Sequence, residues 1–85
     1  MKVIMKPVSG TPKANLERAK VEIDRVVSFR GTVDSVKALN NGIEVKISIN
    51  PTWDMPIEQK VDSLKGWIIA KVRRSFHVVS VSTED

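Results

Sequence analysis

The sequence has no cysteine and no tyrosine, and its single histidine is His77. Without cysteine, a disulfide scaffold, an iron–sulfur cluster, a cysteine nucleophile and a cysteine-based zinc site are excluded together. Nothing then requires an oxidising compartment, and a cytoplasmic setting is the expectation. Long apolar runs are missing too. The opening Met1-Lys2-Val3-Ile4-Met5-Lys6-Pro7 holds an apolar run of only three residues, too short for a signal-peptide core, and no stretch approaches a membrane span. Aromatics are scarce, with two Trp and two Phe, so the core must be aliphatic and any base-stacking surface must be small.

The 85 residues, 9.5 kDa in mass, suit one domain, and the composition of 41% hydrophobic and 28% charged residues argues against disorder throughout. A domain this small buries only about 60 to 65% of its unfolded surface, which favours a presented surface over a deep active-site cavity. Fourteen Lys and Arg against ten Asp and Glu give a net charge of +4 and a pI near 9.7, a balance that favours an anionic partner.

Residues 1–19 read as an opening section: a short strand at Lys2 to Lys6, then the turn cluster Pro7-Val8-Ser9-Gly10-Thr11-Pro12. A short helix with Thr11 as N-cap is expected to end near Lys20, with Val21, Ile23 and Arg25 alternating into the next strand. The clearest signal is a hairpin. Val27 to Leu39 forms one strand, Asn40-Asn41-Gly42 the turn, and Ile43 to Ile49 a second strand with Ile43, Val45, Ile47 and Ile49 on one face. The apolar phase slips between Val33 and Val36, which places a bulge near Asp34 or Ser35, and Gly31 suits a bend toward closure. Asn50 to Pro56 is a loop carrying Trp53.

Residues 57–74 admit two readings. Ile57, Val61, Leu64, Ile68 and Val72 fall at helical spacing, whereas Gly66 and the run Trp67-Ile68-Ile69 favour a short helix over about residues 56–64 and then a strand. Ser75 to Ser82 is a final strand in either case, and Thr83-Glu84-Asp85 a fraying polar tail. The preferred fold is therefore mainly β, a small Greek-key barrel with one or two short helices and its core in residues 20–82. The alternative is an α+β βαββαβ ferredoxin-like sandwich.

The run Phe29-Arg30-Gly31-Thr32-Val33, Val36 and Gly42-Ile43-Glu44-Val45-Lys46-Ile47 resembles the opening strands of oligonucleotide/oligosaccharide-binding (OB) folds. Val61 to Gly66 followed by Ile69-Ala70-Lys71-Val72-Arg73-Arg74-Ser75 is similar to the closing part of transport-associated OB (TOBE) and molybdate-binding Mop domains. Arg74 stands where those domains have a small residue. The resemblance implies an anion site carried by Arg73 and Ser75, formed between subunits.

No base, nucleophile and orienting group form a set, so the expectation is a non-enzymatic protein without metal or cofactor. His77, on a Val-rich strand, reads as structural. Asp54, Glu58 and Asp62 share four-residue spacing but read as acids near a helix N-terminus rather than a cation site, and Ser9-Gly10-Thr11 reads as a turn rather than a phosphate loop. Phe29 and Phe76 are expected in the core. Trp67, Ile69, Lys71 and Arg73 share one face if their segment is a strand, with Arg74 at its end, and Trp67, Lys71 and Arg74 sit together if it is a helix; Arg30 and Lys46 extend the basic surface, and Trp53 adds a loop aromatic. This set predicts binding of single-stranded nucleic acid with little sequence specificity. The alternatives are docking on a larger protein through a sheet edge or the Trp53-Asp54-Met55-Pro56 loop, and oxyanion binding by Arg73 and Ser75. Oligomeric state stays open, with a homodimer among the alternatives and no membrane association.

Overall fold

A computed structural model describes residues 1–83; Glu84 and Asp85, of the expected tail, lie outside the described residues. The chain runs β1 (Lys2–Pro7), α1 (Leu16–Val27), β2 (Gly31–Ala38), β3 (Ile43–Ile49), α2 (Ile57–Val72) and β4 (Phe76–Ser82), with 3-10 turns at Lys13–Asn15 and Ser28–Arg30 on either side of α1. The sheet order is β2-β3-β1-β4 and every neighbouring pair is antiparallel. The domain is thus α+β, the βαββαβ arrangement, and not the barrel preferred from sequence. Its sheet is open, with β2 and β4 as edges.

One face of the sheet is covered and the other is not, a division written in the period-2 pattern of the central strands. Val3 and Met5 of β1, and Ile43, Val45 and Ile47 of β3, are buried against Ala19, Ile23, Val26 and Val27 of α1 and Leu64, Ile68 and Val72 of α2. Lys2, Ile4, Glu44 and Lys46 alternate with them and remain partly exposed on the opposite face. β1, expected in an opening section outside the core, is a central strand paired on both sides.

Two corrections explain why the barrel does not form. First, α1 continues to Val27, because Ala19, Ile23, Val26 and Val27 keep helical phase and burying them outweighs the local alternation of Val21 to Arg25. Second, α2 is one helix through Gly66. A Cβ at Gly66 would meet nothing within 4 Å, so this glycine sits on the open side and costs the helix about 0.5–1 kcal/mol relative to alanine. Leu64, Ile68 and Val72 are fully buried, and each contributes about 1.5–3 kcal/mol. The buried stripe decides the conformation.

The hairpin forms, but its first strand begins at Gly31 rather than at the expected Val27, which ends α1 ahead of the Ser28–Arg30 turn. β2 and β3 shift register between Val33 and Ser35, and the carboxylate of the bulged Asp34 accepts a hydrogen bond from the Ser48 hydroxyl. Gly31 serves a close approach rather than a bend: a Cβ there would lie 2.5 Å from the Ser48 carbonyl oxygen, so a larger residue would push the start of β2 off β3.

Candidate functional site

The end of α1 and the loop before α2 meet at one end of the helical layer. Ser28 leaves α1 with φ 48° and ψ −129°, a conformation that L-residues other than glycine adopt at a cost. The turn it starts carries Phe29 and Arg30 outward. Asn50, at the end of β3, holds this turn to the next loop. Its backbone N–H donates to the Arg30 carbonyl at 2.8 Å and its Nδ2 donates to the Phe29 carbonyl at 3.1 Å. Its Oδ1 accepts from the Thr52 N–H at 3.0 Å and the Thr52 hydroxyl at 2.8 Å, and its carbonyl accepts from the Trp53 N–H at 3.2 Å. One side chain thereby positions residues from two loops.

The side chains so placed form a continuous stack. The Arg30 guanidinium lies 4.9 Å from the centre of the Phe29 ring and 4.4 Å from that of Trp67, and Trp67 stacks on Trp53 with centroids 6.0 Å apart and planes 18° from parallel. Each cation–π contact is worth about 0.5–2 kcal/mol, more as water is excluded, and the indole pair lies within the usual range for offset stacking. The cluster borders an open recess of about 510 Å³ that Met55 and Ser63 also line. Trp67 is 40% exposed and Phe29 77%. Phe29, expected in the core, is therefore a surface ring, carried on the turn that joins α1 to the edge strand β2, beside Thr32 and Ser48.

The remaining residues divide by location. Lys71 follows Trp67 by one helical turn and borders a second recess with Glu22, Arg25 and Val26 of α1. In that region Glu22 Oε2 is buried without a hydrogen-bond partner. Arg73 and Arg74 are exposed in the turn after α2. Ser75 donates its N–H to the Val72 carbonyl and accepts from the Val8 N–H, both at 2.8 Å, so its amide is committed within the fold. Lys46 stands apart on the uncovered face of the sheet, between Lys2 and Ser35. His77 is exposed on β4, opposite Lys6. The structure thus gathers Arg30, Trp53 and Trp67, sets Lys71 at a separate recess against α1 and leaves Lys46 out.

Asn50 and Phe29 are the site residues that sequence reasoning misses. For Asn50 a signal exists in Asn50-Pro51-Thr52, since asparagine commonly bonds its own backbone two residues on. Among the described residues, no three or more His, Cys, Asp or Glu side chains are grouped to hold a metal ion, and no helix is long and apolar enough to cross a membrane. Comparison of the chain with family models, characterised proteins and solved structures gives no match.

Proposed function

We propose that the protein is a non-enzymatic binding domain that takes single-stranded nucleic acid on its helical side. The observation that carries this reading is the Phe29–Arg30–Trp67–Trp53 stack, which joins flat apolar rings to a cation in one exposed patch. Trp67 already has Arg30 and Trp53 against it, so the ring most open to an unpaired base is Phe29. A base stacked there contributes about 1–3 kcal/mol, and Arg30 beside it neutralises the attached phosphate. Lys71, Arg73 and Arg74 continue the positive charge beyond the aromatic patch. Binding through ring faces and phosphates rather than base edges makes it weakly sequence-specific.

A labelled single-stranded oligonucleotide titrated at two salt concentrations tests this. Affinity is expected to fall about tenfold or more between roughly 50 and 200 mM salt, with quenching of tryptophan emission. Phe29→Ala removes most of the quenching, whereas Arg73→Ala with Arg74→Ala flattens the salt slope. Absence of binding at low salt rejects the reading.

A protein partner is the second reading, favoured by one observation: Phe29, Arg30, Met55 and Trp67 around one recess have the composition of interface hot spots. Binding of that kind is salt-insensitive and is lost on Trp53→Ala.

A further inference from the structure

The uncovered face of the sheet carries an arrangement that the helical-side reading does not use. Cross-strand register places Ser35 of β2 opposite Lys46 of β3, Lys46 opposite Lys2 of β1, and Lys2 opposite Ser82 of β4. One row across the whole sheet therefore reads hydroxyl, ammonium, ammonium, hydroxyl. The next row differs. There Lys37 faces Glu44, and Glu44 faces Ile4, so that lysine has a carboxylate across from it. Directly across the strands, Lys2 and Lys46 face each other and serine, and the acid on the same face of β3 is Glu44, two residues from Lys46.

Like charges directly opposite on adjacent strands destabilise a sheet. Lys2 and Lys46 are both half-buried and lie on the two central strands. A tetrahedral phosphate anion eases the conflict: its oxygens accept from both ammonium groups at once and from the Ser35 hydroxyl beside them. A halide, a single atom, offers no comparable set of acceptor oxygens.

We propose that Lys2 and Lys46, with Ser35, form a binding site for a phosphate-class oxyanion on the open face of the sheet. This site lies on the opposite side of the sheet from the aromatic stack and does not depend on it. The anion is either a free phosphate or a phosphate of a nucleic-acid backbone, and the two differ in charge and shape enough to be told apart.

The test is thermal unfolding in inorganic phosphate, in the dinucleotide TpT, and in chloride at matched ionic strength. Wild-type protein is expected to gain about 4 °C or more in saturating phosphate over chloride. A gain in phosphate alone assigns a free phosphate, and a gain with TpT assigns a backbone phosphate. Lys46→Met is expected to raise the melting temperature in chloride and abolish the gain. Lys37→Met, with the same change in net charge, is expected to lower the melting temperature and keep the gain. Lys2→Gln approaches the site from the other strand and serves if Lys46→Met does not fold. No gain in either anion, or an equal gain in the Lys46 and Lys37 variants, overturns the proposal.

Discussion

The helical side and the open sheet face both carry positive charge, and they carry it in different chemical forms. On the helical side Arg30 lies against Phe29 and Trp67. A guanidinium is planar and weakly hydrated, so it can rest on a ring while its edge still donates hydrogen bonds. On the sheet face the cations are Lys2, Lys6, Lys37 and Lys46, with no Phe or Trp directly across from them and His77 opposite Lys6. An ammonium is a compact, strongly hydrated point charge, better suited to an oxygen anion than to a ring. A net charge of +4 therefore describes two surfaces with separate preferences, and the sequence total cannot tell them apart.

The largest separation of the two surfaces is expected from Trp67→Ala. It removes the stack on Trp53 and the ring under Arg30 together. Full truncation of a buried tryptophan costs about 3–5 kcal/mol, and for a residue 40% exposed about 2 kcal/mol is expected. Denaturant unfolding measures that loss, and oligonucleotide titration should show affinity down about tenfold or more. The gain in melting temperature with phosphate should persist. Loss of both responses in a protein that remains folded would mean that the two faces are one coupled surface.

A smaller and more diagnostic effect is expected at Ser28, which holds positive φ without being glycine. Ser28→Gly relieves that conformation and should stabilise the domain by about 1 kcal/mol in denaturant unfolding. The same freedom loosens the turn that presents Phe29 and Arg30, so oligonucleotide affinity should fall as stability rises. Opposite signs would identify the strained turn as part of the binding surface. A parallel rise in both would show that Ser28 only ends the helix.

What was legible in the sequence follows from how far each signal reaches along the chain. The β2–β3 hairpin and its bulge could be read because both depend on residues adjacent in sequence: the Asn40-Asn41-Gly42 turn and the slip from Val33 to Val36. The final strand and the Trp53 loop were readable for the same reason. The pairing of β1 between β3 and β4 depends on tertiary contacts, so its central place was hidden in a short segment before a turn cluster. In the site, Trp53, Trp67 and Arg30 were marked by residue type, but their meeting depends on the route of α1 into Ser28. That route also puts Phe29 outside, against the general tendency of phenylalanine to be buried.

The decisive misreading was local propensity at residues 66–69, where Gly66 and the bulky run after it suggested a break and a strand. Tertiary burial of Leu64, Ile68 and Val72 overrides that preference, and the size of the override can be measured. Gly66→Ala adds a methyl group that meets no neighbour, so it acts only on backbone freedom and helix propensity. It should stabilise the domain by about 0.5–1 kcal/mol, read as a higher denaturant midpoint at unchanged slope. Because the new methyl touches neither Trp67's partners nor the sheet, oligonucleotide affinity and the phosphate response should both stay at wild-type values. A loss of stability would place a contact at Gly66 and reopen the position of α2 against the sheet. A gain would show that helix continuity here rests on the buried stripe and that the glycine was only tolerated.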